Sequence, residues 1–147
     1  MKETNPRDIR LAAMDLLARR EHSRLELYRK LRKRFPDQLQ EIEVEIDRLA
    51  TEGLQSDARL AEAFIRARTN RGQGPSKIRM ELKGKGVAED LMSLAFEACE
   101  VDWFALAHEV AAKKFGDLDG TDLRFKAKVS RFLQGRGFSY DHISSLY

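Results

Sequence analysis

The chain is poor in residues that cross-link a fold or bind metals: its 147 residues include one cysteine, Cys99, and three histidines. A single cysteine excludes an internal disulfide, and the scattered histidines leave too few ligands for a structural zinc site. No apolar run approaches the roughly 20 residues that a bilayer span needs. Residues 1–20 carry charged side chains throughout instead of a signal-peptide core. We therefore expect a soluble, cytoplasmic protein without a membrane partner, metal or cofactor.

Proline and glycine are also scarce, at 3 and 9 residues, which excludes collagen-like and low-complexity sequences. Charged residues make up 35% of the chain beside 42% hydrophobic residues, a balance typical of a folded, helix-rich protein. The length suits one compact domain or several small stacked modules.

Charge is segregated along the chain although the net charge is only +3. Residues 18–34, 64–86 and 124–137 carry +6, +6 and +5, whereas residues 36–63 and 87–123 carry −6 and −7. Three basic blocks separated by two acidic ones could focus a polyanion on one surface without making the whole protein adhere to anions.

The basic blocks share an apolar frame that repeats every 51 residues. Leu31, Leu82 and Leu133 are each the second member of an apolar i, i+4 pair, and a basic residue follows each of them three positions later. A repeat of about fifty residues lies in the range of stacked helical modules.

Each repeat has the apolar spacing and the capping signals of three helices. Asn5-Pro6 and the capping box Ser23–Glu26 start the first two helices, and Gly53 ends the third. The other helices are predicted over residues 56–70, 75–85, 88–99, 102–114 and 122–136, with a short last helix capped by Ser139. No segment alternates with the period of a strand. We therefore predict an all-α fold of three tandem three-helix repeats, residues 1–54, 55–100 and 101–147, in an elongated, curved array.

Seven aromatic residues on the helical stripes are predicted to pack in the core or between modules: Phe64, Phe96, Trp103, Phe104, Phe115, Phe125 and Phe132.

The sequence lacks the residue patterns of catalysis. No G-x-S-x-G motif presents a nucleophilic serine, and Cys99, at the end of an amphipathic helix, is predicted to be a packing residue. Glu41, Glu43, Glu45 and Asp47 are predicted to lie on an outward face and not to converge on a metal ion. We therefore expect no enzymatic activity and no catalytic residues.

The segment Arg71–Lys77, RGQGPSK, resembles a phosphate-binding loop only superficially, because it lacks the G-x-x-x-x-G-K-[ST] spacing and a preceding strand. It places a flexible turn before a helix that starts at Pro75. Two interpretations stay open. Exposed backbone amides could hold an anion together with Arg71, Lys77 and Arg79, or the segment is a plain helix–helix turn.

The basic residues themselves are the stronger candidates for a binding surface, because Glu81 is the only acid within residues 64–86. Cations on an ordinary exposed helix pair with acids three or four residues away, so unpaired ones predict an external anion, either phosphate or an acidic protein surface. No zinc finger or aromatic RNA-binding signature points to base-specific readout. The predicted surface comprises Arg66, Arg68, Arg71, Lys77, Arg79, Lys83 and Lys85, extended by Arg20, Arg24, Lys30, Arg32, Arg124, Lys128 and Arg131.

Three stretches form recognisable motifs: Leu17–Ser23 with Glu26-Leu27 and Lys30-Leu31; Ser56–Phe64 with Arg71–Ile78, Glu81-Leu82 and Lys85–Val87; and Phe132-Leu133 with Arg136–Ser139 and Ile143. In this order they resemble the RecX family of bacterial regulatory proteins over nearly the whole chain. The resemblance implies three three-helix modules that bind the RecA–single-stranded-DNA filament and inhibit the ATPase, coprotease and strand-exchange activities of RecA. It thereby implies a role in recombination, DNA repair and the SOS response, and direct DNA binding without sequence specificity.

An autonomous helix-turn-helix module, with the second helix of a repeat in a DNA groove, is the alternative function. It predicts duplex binding with a marked salt dependence. The sequence leaves open whether RecA or the DNA within the filament is the main contact. We expect a monomer.

Overall fold

A computed structural model describes residues 5–120 and 122–147 of the chain. Over these residues it contains nine α-helices and no strand, which confirms the all-α prediction. None of the helices in the described ranges is long and apolar enough to cross a membrane. The helices are α1 Pro6–Arg19, α2 Arg24–Arg34, α3 Leu39–Thr51, α4 Asp57–Asn70, α5 Pro75–Gly84, α6 Glu89–Cys99, α7 Trp103–Phe115, α8 Leu123–Gly135 and α9 Tyr140–Ser144.

Local capping signals explain the helix bounds. Asn5 accepts a hydrogen bond from the Arg7 amide at the start of α1. Ser23 and Glu26 form the predicted capping box at the start of α2. Gly53, at φ 76°, adopts the left-handed conformation that ends α3. Helices α4 to α8 begin and end within one residue of their predicted positions.

The helices pack as three triplets, each around its own hydrophobic cluster. Ile9, Leu27 and Ile42 lie at the centre of the first cluster, Ile65 and Leu82 in the second, and Val129 and Leu133, among others, in the third. Trp103 packs against both the second and the third cluster. Small cores of this kind depend on their neighbours for stability. The repeat boundaries after residues 54 and 100 stay a prediction.

The middle helices of the triplets meet end to end. At the first junction, α5 ends against the start of α2, where Ser23 Oγ donates to the Lys85 carbonyl at 2.7 Å. At the second junction, α8 ends against the start of α5, where the Gly74 amide donates to the Arg136 carbonyl at 2.6 Å. Both partners of the second bond lie 51 residues after those of the first, so the repeat also governs how the triplets join.

The second junction decides between the two interpretations of Arg71–Lys77. The amides of Gly74 and Ser76, at the start of α5, donate to the carbonyls of Arg136 and Gly137. The interpretation in which these amides are exposed to hold an anion is therefore wrong, because the end of α8 already supplies acceptors for both. The segment is a helix–helix turn that docks on the third triplet.

Three predictions about individual side chains can be compared with the structure. Glu45 is only 4% exposed and pairs with Arg10 at 2.8 Å, so the prediction of an outward position is wrong, because this face of α3 packs against α1. Phe104 departs from the predicted packing role, since it is 49% exposed with its ring edge-on to His142. Cys99 packs beside the second cluster, as predicted.

Gly74 allows a specific test of the second junction. A Cβ atom at this position would lie 2.5 Å from the backbone of Gly137 and Phe138, whereas one at Gly135 would meet open space. Gly74→Ala should lower the free energy of unfolding by about 2 kcal/mol or more. Gly135→Ala, the matched control, should leave it unchanged or raise it by up to about 1 kcal/mol. Urea unfolding followed by circular dichroism measures both; equal effects would contradict the close backbone approach.

Candidate functional site

The predicted basic surface contains two kinds of cation. Five members pair with carboxylates: Arg20 and Lys85 with Glu26, Arg24 with Asp47, Arg68 with Glu81, and Arg79 with Glu89. The expectation that the cations of residues 64–86 lack acid partners is therefore wrong for Arg68, Arg79 and Lys85. Their partners come from other helices, which short-range spacing does not reveal.

The remaining cations of the second basic block make no ion pair within the described part of the chain. They are Arg66, Arg71, Lys77 and Lys83, and the structure distributes them over three places. Arg71 and Lys77 lie at the second junction. Lys83 lines an open groove on α5 together with Arg79, and Arg66 lines a cleft between α4 and the end of α6.

The basic residues of the first and third blocks take separate positions. Lys30 Nζ lies 3.3 Å from Nε2 of His22, and the Arg32 guanidinium lies 5.9 Å from the centre of the Tyr28 ring. The three residues of the third block that belong to the predicted surface, Arg124, Lys128 and Arg131, occupy exposed positions on α8.

The carboxylate of Glu26 bridges two cations at the first junction. Glu26 accepts hydrogen bonds from Arg20 at 2.8 Å, from Lys85 at 2.8 Å and from the Ser23 amide at 3.0 Å. Burial alone would raise the pKa of Glu26, but these three hydrogen bonds outweigh it and lower the pKa from 4.5 to about 2. The Glu26 charge thus ties α2 to the end of α5.

Buried His22 reinforces the same junction as a neutral ring. Its Nδ1 lies 3.0 Å from the Arg20 carbonyl, and burial lowers the pKa of His22 below its ordinary value. The amide of buried Gln55 donates to the His22 carbonyl at 3.2 Å. These contacts make His22 a structural residue.

The second junction repeats the geometry of the first without its carboxylate. The residues 51 positions after Arg20, Glu26 and Lys85 are Arg71, Lys77 and Arg136. Arg136 Nη1 donates to the Arg71 carbonyl at 3.1 Å, and Lys77 lies directly against Gly137. Among the described residues, no carboxylate lies within 4.0 Å of these three cations. The second junction therefore concentrates positive charge.

An open groove of about 650 Å³ lies beside the second junction, between the end of α4 and helices α7 and α8. We call it the junction groove. Its cationic side chains are Arg71, Lys113, Lys114 and Arg136, and its apolar wall includes Val110 and Phe132. Glu109 also lines it and forms no ion pair with another described residue.

Sequence reasoning missed three of these cations: Lys113, Lys114 and Arg136. The two lysines lie within residues 87–123, whose net charge of −7 conceals them. A position-by-position comparison of the repeats would have shown the replacement of Glu26 by Lys77 and drawn attention to this junction.

The fold and the surface define the class of protein: a tandem array of three-helix modules with cationic surfaces, in which the described residues contain no group of three or more metal-ligating side chains. Two family models match the sequence, "RecX, second three-helix domain" over residues 56–95 and "RecX, third three-helix domain" over residues 100–146.

Curated relatives match almost the whole chain. The regulatory protein RecX of Pseudomonas putida (strain GB-1) is 51% identical over 96% of this chain and 90% of its own length. That of Ectopseudomonas mendocina (strain ymp) is 47% identical over 97% of this chain and 94% of its own length. The chain belongs to the RecX family.

Solved structures agree with this fold. The crystal structure of RecX from Lactobacillus salivarius has a TM-score of 0.80 at 24% identity, with 96% of this chain and 93% of that chain covered. A second crystal structure of a regulatory protein RecX has a TM-score of 0.82 at 22% identity, with 96% and 72% covered.

The low pKa of Glu26 predicts a pH-dependent contribution to stability. Because the folded-state pKa of about 2 lies below the ordinary 4.5, the unfolded chain takes up this proton first as the pH falls. The contribution is therefore fully present above pH 4.5 and lost as the pH falls to about 2. Glu26→Gln should lower the free energy of unfolding by about 2 kcal/mol at neutral pH. In urea unfolding at a series of pH values, the variant should lose less of its stability at acid pH than the wild type does.

Glu97→Gln is the matched control, since Glu97 is exposed on α6. An equal loss of stability at acid pH in Glu26→Gln and in the wild type would contradict the role given to this carboxylate.

Proposed function

We propose that this chain binds the RecA–single-stranded-DNA filament in the cytoplasm and inhibits the ATPase, strand-exchange and coprotease activities of RecA. It would thereby modulate recombination, DNA repair and the SOS response, with no catalytic activity of its own. Its membership of the RecX family supports this function, because its relatives bear the name of regulatory proteins.

The distribution of unpaired cations is the observation that carries the proposal. Arg66, Arg71, Lys77 and Lys83 lie on α4, on α5 and in the turn between them, with no ion-pair partner in the described ranges. A nucleoprotein filament offers anions at regular intervals along its groove, both as phosphates and as acidic side chains. Modules joined in series can contact several of these at once, so weak individual contacts add to a high total affinity.

The helix-turn-helix alternative has less support from the geometry. A recognition helix presents its N-terminal residues to the base edges. The starts of α2 and α5 instead lie against the ends of α5 and α8 at the two junctions. Neither of these two helices can enter a DNA groove by its start unless a junction opens, whereas the start of α8, at Leu123, lies at neither junction.

Titration of RecA ATP hydrolysis on single-stranded DNA tests the proposal. The same protein preparation is titrated onto that DNA alone, and onto duplexes of different sequence, at several salt concentrations. Loss of ATPase activity at concentrations well below those that coat free DNA supports a filament-directed regulator. Unchanged ATPase activity together with salt-sensitive DNA binding would make the chain a general DNA-binding protein, and preference for one duplex sequence would favour the helix-turn-helix alternative.

Charge reversal away from the junctions tests the predicted surface. Arg66→Glu with Lys83→Glu should weaken inhibition of the RecA ATPase about tenfold, because each reversed charge removes an attraction and adds a repulsion toward an anionic partner. Helical content should stay unchanged, since neither side chain has an ion pair to lose within the described structure.

Arg7→Glu with Lys33→Glu is the control with the same change in net charge, at two exposed positions outside the predicted surface. Equal inhibition by the two double variants would contradict the placement of the surface on α4 and α5.

A further inference from the structure

We propose that the junction groove binds a nucleotide of a single nucleic-acid strand, with the phosphate on Arg71 and Arg136 and the base against Phe132. The inference rests on the proposed function, because it names a site and a ligand class for the anionic partner. The two junctions share a backbone arrangement and differ in their side chains.

The first difference is the loss of the bridging carboxylate. Glu26 neutralises Arg20 and Lys85 at the first junction, whereas Lys77 occupies the equivalent position at the second. A cluster of cations without a counter-charge is destabilising unless an external anion supplies one. The first junction is thus complete by itself, and the second has a charge that an anion would complement.

The second difference is that Phe132, in the junction groove, occupies the position that the carboxylate Glu81 has in the second triplet. Ser56 and Asp102 are the N-caps of α4 and α7, the first helices of the second and third triplets. Counted from these N-caps, Lys114 occupies the same position as Arg68. Arg68 pairs with Glu81 at 3.4 Å. The residue 51 positions after Glu81 is Phe132, and Lys114 Nζ lies 5.8 Å from the centre of its ring. The third triplet therefore has the aromatic ring of Phe132 at the position where the second triplet has the carboxylate of Glu81.

The Phe132 ring is held in a fixed position. Phe115 packs edge-on against it with ring centres 5.4 Å apart, and the Arg136 guanidinium lies 5.1 Å from its centre. The ring is half-buried, so part of it remains accessible from the groove. A preorganised aromatic ring next to cations is typical of sites where proteins bind single strands, since every base offers a face for stacking.

The composition of the groove favours a nucleotide over an acidic peptide. A nucleotide combines an anionic phosphate with a flat base that has apolar faces. The phosphate matches the four cations of the groove, which outnumber its one carboxylate, Glu109, and the base matches the wall formed by Val110 and Phe132. Two arginines, Arg71 and Arg136, offer planar donor groups that suit phosphate oxygens. A carboxylate side chain would satisfy the cations but would leave the aromatic wall without a partner.

Fluorescence anisotropy with labelled oligothymidylate tests the site in the full chain. Lys77→Glu supplies the carboxylate that the first junction has and should weaken binding about tenfold or more. Lys113→Gln with Lys114→Gln should weaken it several-fold and lower its salt dependence. Phe132→Leu, which keeps an apolar side chain against Phe115, should weaken binding about fivefold through the loss of stacking. Arg7→Glu is the control for net charge, and circular dichroism checks that each variant is folded.

Two outcomes of the binding experiment overturn the assignment. Unchanged affinity in folded Lys77→Glu and in the double lysine variant would show that the groove is not the site. Weaker binding in the cation variants but not in Phe132→Leu, with polyglutamate competing as well as oligothymidylate, would assign the groove to an acidic protein surface.

The same variants separate this inference from the proposed function. Wild-type protein that binds oligothymidylate through the groove but leaves the RecA ATPase unchanged would contradict the proposed function alone. Wild-type protein that inhibits RecA while the groove variants bind the oligonucleotide normally would contradict this inference alone.

Discussion

The end of one middle helix lies against the start of another, and the arrangement of the whole chain depends on this contact. A helix start leaves backbone amides without intrahelical acceptors, and a helix end leaves carbonyls without donors. At the second junction the carbonyls of Arg136 and Gly137 accept from the start of α5. At the first, the Ser23 side chain mediates the equivalent contact with the Lys85 carbonyl. Head-to-tail contact also brings opposite ends of the helix dipoles together.

The two junctions have the same backbone arrangement but differ in their charged side chains. Glu26 gives the first junction an internal counter-charge, so that it holds the first two triplets together without a ligand. Lys77 leaves the second junction cationic, beside a groove with an aromatic wall. Functional sites commonly retain groups that would destabilise a fold on their own, because a ligand completes them. This difference underlies our proposal that the first junction stabilises the fold and the second binds an anion.

The sequence predicted those features that depend on neighbouring residues. The capping box of Ser23 and Glu26 and the left-handed Gly53 are local signals, and the helix bounds follow from them. Burial of Glu45 and the ion pair between Arg79 and Glu89 were not predicted, because they depend on which helix faces which in the folded chain. Lys113 and Lys114 were missed for another reason, since charge summed over a block hides two cations among many acids.

The response of thermal stability to inorganic phosphate tests whether the second junction lacks a counter-charge that a bound anion supplies. A ligand that binds only the folded chain raises its melting temperature, and the rise grows with the logarithm of ligand concentration once this exceeds the dissociation constant. We expect the wild-type melting temperature to rise with phosphate concentration, whereas Lys77→Glu should melt at a higher temperature without phosphate and respond little to it. A lower melting temperature for Lys77→Glu without phosphate, with an equal response to phosphate in both proteins, would contradict the account.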